Sequence, residues 1–591
     1  MSRLSRRTRT ALLLSLAALA TGAACRQGAL PPVASGPEAT PTPVPTEPPG
    51  PPAAEVAAAV ERFFAASEHP WLKWSTATDV APALAPLYDT EADRLFWFAG
   101  ETPYPALEQA LQQLADAGDH GLDPADYDAK RLADAWTKVK AGGAPGTDRA
   151  LLDTGLSVAV ARFLSAAHAG RVDPAAMKWG YDEAGKTLDL PATLRAVREM
   201  TNVGTTLHTL EPPFPHYERA RRTVALYRGL AAAGEPPPVP DLEAGRRKVE
   251  PGKPWAGVPV LAARLRVFGD LAKDAPPPAA GPDGLPLYDG ALVDAVKSFQ
   301  GRHGLDPDGV IGAGTLETLN VPLAHRVRQL ELAMERMRWL PDMHDRASIF
   351  VNVALYRLWA NDPASGQEPE RMRVVVGQSL DHQTPIFLEQ MEYVVFRPYW
   401  NPPYGITRKE ILPKARRDPS YLARQHYEIV ASGDDGAPAL PVTAANLDQV
   451  AAGRLFIRQT PGPHNSLGLV KFMFPNDDQV YMHGTPAQSL FSRARRDFSH
   501  GCIRLEDPAR LAAWVLRDQP DWTPERIKAA MDGPRPTRVN LKQPITVVLF
   551  YDTVHVNSEG VVFFVDDIYG HDRALDAALR KGYPYPRGRR A

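Results

Sequence analysis

The spacing of apolar residues changes once along the chain, and no single fold class accommodates both patterns. Between about 55 and 341, runs such as VAAAVERFFAAS, YPALEQALQQLADA, LLDTGLSVAVARFLSAAHA and VRQLELAMERMRWLP repeat their apolar residues at three and four, the period of a helix with a buried face. Leu107, Leu111 and Leu114 share one such face. From 348 onward the apolar runs are short, β-branched and aromatic: IFVNVALYRLWA, RMRVVVGQ, MEYVVFRP, LFIRQT, LVKFMF, ITVVLFYDTVHV and VVFFVDDIYG. Bounded by Gly, Pro, Asn and Asp, they read as strands. A chain of 591 residues, 44% of them hydrophobic, exceeds what a single core organises. The expectation is a multidomain α+β protein, helical first and mainly β at its end.

Within that plan a helical domain is expected over 55–245. The break HGLDPADYD offers Asp123 as a cap and Pro124 as the first residue of a new helix. A proline-rich hinge, AGEPPPVPDLEAGRRKVEPGKPW, precedes a small helical unit over 255–325. There a helix turns Val293, Val296 and Phe299 inward, and a Gly-rich turn leads to a short helix from Gly314 and Thr315. A connecting helix over 326–347, with Leu330, Met334, Met337 and Leu340 apolar, joins this unit to a β domain over 348–591. The stretch KEILPKARRDPSYLARQHYEIV reads as a helical excursion from the β domain, so 404–452 is the candidate lid. Lys and Arg number 67 against 69 Asp and Glu, and a formal charge of -2 gives no bulk attraction for nucleic acid.

The start of the chain has a different logic. MSRLSRRTRT carries four arginines and precedes the apolar run ALLLSLAALA and the small residues TGAAC, the three parts of an export signal over 1–24. The run is too short to span a membrane comfortably. Cys25 reads either as a lipidation site or as an incidental residue beside an ordinary cleavage; an uncleaved N-terminal anchor is a third reading. All three put the body of the protein outside the cytoplasm. Residues 25–54 hold many prolines and almost nothing to bury, which is the composition of an extended tether.

The second of the two cysteines, Cys502, stands in FSHGCIRLEDP, where Asp507 and Pro508 signal the start of a helix. A thiolate attacks amide or ester carbonyls when a neighbouring base or positive charge activates it. His483, in HGT after a strand, and His500, in SHGC, are both within reach if two loops converge at a sheet edge. Gly501 permits a sharp turn that exposes N–H groups to a developing oxyanion, and Arg504 suits a substrate carboxylate or the thiolate. Taken alone, the same residues also fit a buried structural thiol, or a zinc site of His483, His500 and Cys502 for which no fourth ligand is signalled.

The run RQTPGPHNSLGLVKFMFPNDDQVYMHGTP from Arg458, followed by SHGCIRLEDP, resembles the catalytic domain of L,D-transpeptidases. The likeness is to the large murein enzymes with a helical scaffold, a peptidoglycan-binding module and a lid-bearing catalytic domain. HGLDPADY, SFQGRHGLDPDGVIGAGTLETLN, ERMRWLP, TPIFLEQMEYVVFRPYWNPPYGI and DIYGHD extend it over most of the chain. The resemblance implies a helical scaffold, a small three-helix peptidoglycan-binding-like module and a mainly β catalytic domain with a helical lid insertion. It implies Cys502 as nucleophile, His483 as its base and the Gly484 carbonyl as the group that orients the imidazole. Gly501, Arg504, His500, Ser499 and Tyr481 fall on oxyanion or substrate-binding positions, and Trp400 and Asn401 on a motif that frames the pocket. No third catalytic side chain is implied, although Asp497 and Asp507 lie nearby in sequence, and neither metal nor cofactor is called for.

The implied reaction transfers the acyl group of a tetrapeptide stem to the side-chain amine of a diamino acid on a second stem. D-Alanine is released, a 3-3 cross-link forms, and carbapenems acylate the cysteine. The implied partners are peptidoglycan stems and cell-wall synthesis proteins, together with a membrane if Cys25 is lipidated, and the implied setting is the periplasm of a Gram-negative bacterium. The rival readings are an L,D-carboxypeptidase, a transferase joining protein to wall, a wall-binding scaffold with an inactive catalytic domain, and a protease of ordinary L-peptides, which the SHGCIR context disfavours.

Overall fold

The computed structural model describes residues 53–89, 95–181, 186–199, 203–281, 283–380 and 382–585. The export signal, Cys25 and the tether up to residue 52 lie outside the described residues. The rest is multidomain α+β.

The helical domain is built around one long helix. Helices α1 (Ala53–Ala66), α2 (Ala81–Tyr88), α3 (Ala106–Ala115) and α4 (Ala129–Lys140) pack around α5 (Gly146–Ala169). Helix α5 is long and apolar enough to cross a membrane, yet nearly all of it is buried inside this domain, so it is a core helix. Leu107, Leu111 and Leu114 face the core from α3. Asp123 accepts from the Ala125 N–H as expected of a cap, but what it caps is a single 3-10 turn, Pro124–Tyr127. Helix α4 starts only after Asp128, whose backbone is left-handed (φ 51°) and whose carboxylate accepts the Lys73 N–H. Helices α6 (Leu190–Glu199), α7 (Val203–Leu210) and α8 (Pro215–Ala233) complete this part.

Helices α9 (Val258–Phe268), α10 (Gly290–Arg302) and α11 (Ala313–Leu319) form the small module, with Val293, Val296 and Phe299 in its core. The module is fastened to the β domain: the Arg302 guanidinium donates to the Val562 carbonyl at 3.1 Å, and Asp306 accepts from the Ala494 N–H at 3.1 Å.

Helix α12 (Leu323–Trp339) was expected as a connection, and the structure makes it a central element. Leu330, Met334 and Met337 pack against α8, and Glu335 and Arg336 between them are buried as well. Glu335 pairs with Arg171 and with Arg338, while Arg336 reaches Asp572 at 2.6 Å. A helix that buries charge on several faces must have protein on each of those sides. Here these are the helical domain and the β domain.

The β domain holds strands β1 (Ser348–Asn352), β2 (Arg357–Asn361), β3 (Glu370–Gly377) and β4 (Phe387–Phe396), followed by the insertion. The insertion runs as helix through Tyr404–Ile406, a π turn Thr407–Ile411 and α13 (Leu412–Arg417), then α14 (Ser420–Arg424), β5 (Tyr427–Val430), α15 (Ala444–Ala451) and β6 (Phe456–Gln459). Three differences from expectation follow. The excursion is not one helix, because Pro419 moves Asp418 to extended backbone and so ends α13. The segment LFIRQT forms β6, which pairs with β5 rather than with the main sheet. Arg458 on β6 fixes this arrangement, since its buried guanidinium donates to the carbonyls of Asp434 and Ala437. The insertion, which has its own core of Ile411, Leu412, Leu422, Ile429, Leu447, Val450 and Ile457, therefore includes residues beyond 452.

The chain returns through β7 (Val470–Met473), β8 (Met482–His483), β9 (Asp497–Ser499) and β10 (Ile503–Leu505), then helices α16 (Pro508–Val515) and α17 (Pro524–Asp532) and the long β11 (Thr537–Phe550). A hairpin, β12 (Val554–Val556) and β13 (Val562–Phe564), and α18 (His571–Arg580) close the domain. The sheet order is β9-β3-β10-β8-β7-β4-β11-β1-β2, and β2 pairs back onto β3, so the sheet closes into a barrel with β9 at its side.

Candidate active site

Register assembles the site. In the ladder β7-β8-β10, Lys471 is opposite His483, and His483 is opposite Arg504. Directly paired residues share a face of the sheet, and positions two apart on a strand share it too. Tyr481 and Cys502, each two residues before a member of this row, therefore join Lys471, His483 and Arg504 on one face. The alternate residues Val470, Phe472, Met482, Ile503 and Leu505 fill the domain core. The same alternation that buries the core thus lines up the reactive groups.

His483 is 5% exposed, and its Nδ1 lies 2.5 Å from the Gly484 carbonyl. A carbonyl only accepts, so Nδ1 carries the proton and Nε2 keeps its lone pair. The Leu467 carbonyl also faces the ring. Its loop comes this close because Gly468 is left-handed (φ 63°), and a Cβ there would lie 2.6 Å from the Thr485 nitrogen. Burial, then the positive charge of Arg504 and that of Lys471, lower the imidazole to about 3.

Cys502 is part-exposed, with Sγ 3.9 Å from the Gln479 carbonyl. Gln479 is itself left-handed (φ 56°), held by a turn in which Asn476 accepts from the Val480 N–H at 3.0 Å and donates to its carbonyl at 2.7 Å. Burial raises the thiol above its ordinary 9.0, opposed in part by the Tyr481 backbone, Lys471, the Tyr481 hydroxyl and Arg504. The Tyr481 hydroxyl touches both Cys502 and Trp400, and burial raises its own pKa.

The turn before the cysteine is internally tied. Ser499 is buried; its hydroxyl donates to the Cys502 carbonyl at 2.6 Å and accepts from the Gly501 N–H at 3.2 Å. The structure thus ties Ser499 into the turn, and the Gly501 N–H, read from sequence as an oxyanion donor, faces its hydroxyl. Gly501 is left-handed (φ 109°), and its carbonyl accepts from Thr384 at 2.8 Å. Tyr569, in the DIYGHD segment, braces the same corner by donating to the Gly377 carbonyl and accepting from the Thr384 N–H.

The other candidates separate. His500 turns toward the insertion, with Nε2 2.9 Å from Glu410 on the π turn, and its ring is 4.6 Å from that of His382. Trp400 pairs by backbone with Gln459 at the root of the insertion, and Asn401 donates to the Gly433 carbonyl at 3.4 Å. Asp497 is paired with Arg495, and Asp507 caps α16, so neither orients His483. Among the described residues no group of three or more His, Cys, Asp or Glu could hold a metal ion. Beside the row lies a cavity of about 290 Å³ whose lining includes Asn401, Lys471, Gln479 and Tyr481. The sequence reading missed Lys471, Gln479, Thr384 and Tyr569. For Lys471 a signal was present, because it is the one charge inside the strand LVKFMF.

Comparison with known proteins agrees with this layout. Residues 346–541 match the L,D-transpeptidase catalytic domain family, 82–223 a scaffold domain family and 258–319 a family described as "Putative peptidoglycan binding domain". A Haemophilus influenzae protein described as "Putative L,D-transpeptidase" is 31% identical over 293 residues, which cover 49% of this chain and 56% of that protein. The chain thus matches little more than half the length of this relative.

Proposed function

We propose, on the premise that this chain has the multidomain architecture of the L,D-transpeptidase family, that its β domain transfers acyl groups between peptidoglycan stems through a thioester on Cys502. The observation that carries the reading is the shared face of Cys502 and His483, next to a cavity at the root of an inserted lid.

His483 Nε2 takes the thiol proton as Sγ attacks the carbonyl of the stem's third residue. The oxyanion meets the Cys502 N–H, because the Gly501 N–H is engaged with Ser499. The tetrahedral intermediate collapses: the C–N bond breaks, the leaving D-alanine receives the proton from His483, and a thioester remains. The side-chain amine of a second stem, deprotonated by His483, attacks the thioester, and the proton returns to Sγ as the 3-3 cross-link forms. The insertion over the cavity favours amine over water at this step. Gly484 keeps the imidazole in the tautomer that this cycle needs. The domain set fits a cell-wall-associated, periplasmic protein, and lipidation at Cys25 would add a membrane tie.

The test is mass spectrometry of the full mature chain incubated with a disaccharide-tetrapeptide, in parallel with Cys502→Ala. Loss of D-alanine with a dimer joined through two diamino acids, absent from the variant, supports the reading. Tripeptide alone marks a carboxypeptidase. A folded wild-type chain that releases nothing overturns the assignment.

A further inference from the structure

Two cations flank His483 in the strand order, Arg504 on β10 and Lys471 on β7, and among the described residues neither is paired with a carboxylate. A charge that is half-buried without a counter-ion is costly unless an anion joins it in the working state. Their surroundings separate them. Lys471 lines the cavity of about 290 Å³ together with Tyr399, Asn401, Asn476, Gln479 and Tyr481, and Arg504 is not part of that lining. The Lys471 ammonium rests on the Tyr481 ring, 4.0 Å from its centroid. Burial lowers its pKa, and the charges of Cys502 and of Asp435 in the insertion oppose that shift.

The size and position of this cavity select the anion. It is at the lower limit of ordinary ligand pockets, about 300 Å³, so it takes the end of a chain rather than a whole stem. Lys471 is two strands from Cys502, roughly 10 Å between backbones, and its side chain leans back across the Tyr481 ring. A single residue spans about 3.8 Å. With the scissile carbonyl at Sγ, a carboxylate one residue further on reaches the cavity beside Lys471. Asn401 and Gln479 supply amide groups for the same chain end.

We propose that Lys471 recognises the free terminal carboxylate of the donor stem, and so restricts this site to donors with one residue beyond the scissile bond. The inference rests on the acyl-transfer reading above. Lys471 is then a specificity residue that acts on the leaving group in the first half-reaction and falls idle in the second.

The experiment compares three tetrapeptide donors on the full mature chain, following release of the terminal residue. One has a free terminal carboxylate, one a terminal primary amide, and one a free terminus with the diamino acid's own side-chain carboxylate amidated. Wild type is expected to prefer the free acid over the terminal amide by about 10- to 100-fold in kcat/KM, the range of a charge-assisted hydrogen bond. In Lys471→Met that ratio collapses toward one, Lys471→Arg retains part of it, and the response to the third donor is unchanged. Survival of the full ratio in Lys471→Met overturns the proposal, since equal slowing of acid and amide donors would mean that Lys471 acts on the thiol or on the fold. Loss of discrimination at the third donor alone also overturns it, by assigning the lysine to the other carboxylate. If wild type turns over none of the donors, the acyl-transfer reading fails as well, an outcome independent of the lysine. Because the ratio is taken within one variant, partial misfolding lowers both rates and leaves it intact.

Discussion

Cys502 and His483 rest as a neutral pair, and the pH dependence of cysteine alkylation exposes this. Burial, Arg504 and Lys471 take His483 from its ordinary 6.5 to about 3, which disfavours the imidazolium by about 5 kcal/mol at 1.36 kcal/mol per unit. Burial holds the thiol above 9.0. Both shifts favour the neutral thiol and neutral imidazole over the thiolate–imidazolium pair. Iodoacetamide inactivation followed from pH 4 to 10 should then rise roughly tenfold per unit and keep rising past pH 9, without a plateau at neutral pH. Transfer to substrate behaves differently, because the neutral imidazole is the base and is present at all pH above about 3; kcat/KM should stay level down to about pH 4. Arg504→Met removes the cation that most depresses the imidazole, so His483 regains basicity and the acid limb moves to higher pH. An alkylation plateau with a midpoint between pH 4 and 7 would show a standing ion pair and refute the reasoning.

Three further outcomes follow from contacts elsewhere. Glu335→Gln takes the carboxylate from buried Arg338 and leaves Arg171 with Asp126 alone, which should cost about 3–5 kcal/mol, read as a lower melting temperature. Burial pushes the Glu335 carboxyl up, but Arg171, Arg338 and two backbone N–H donors bring it below its ordinary 4.5. Its folded pKa being depressed, the wild type's advantage over Glu335→Gln is present above about pH 4.5 and shrinks as pH falls below it; melting across pH 3 to 7 checks this. Ser499→Ala removes the donor to the Cys502 carbonyl and the acceptor of the Gly501 N–H, which should cost about 1–3 kcal/mol of stability, read as a lower melting temperature, and lower kcat/KM by loosening the turn that holds Cys502. Glu410→Gln cuts the exposed contact between the insertion and His500; melting should move by less than about 1 kcal/mol equivalent, while amide hydrogen exchange over 404–459 speeds up several-fold.

The features legible from residues alone are local ones. Apolar spacing placed the helices and most strands, because period follows from backbone geometry within a few residues. It also placed Leu107, Leu111 and Leu114 inward on α3, and Val293, Val296 and Phe299 inward on α10. Cys502, His483 and Arg504 were visible as residue types in a motif, since chemistry of that kind is carried by the side chain itself. Other features depend on what lies opposite in space. The segment LFIRQT has strand composition whichever sheet it joins, and only the insertion's carbonyls around Arg458 assign it to β5. Helix α12 reads as amphipathic, yet Glu335, Arg336 and Arg338 are buried because partners far along the chain supply their counter-charges. The bond from the Ser499 hydroxyl to the Cys502 carbonyl is set by the turn that brings them together. Lys471 enters the site only through the register that sets it opposite His483, twelve residues away across β7 and β8 in one sheet. Period and side-chain chemistry are properties of a segment, whereas register, burial of charge and the sharing of a sheet face are properties of pairs, and a pair is decided by the energy of the whole packed chain.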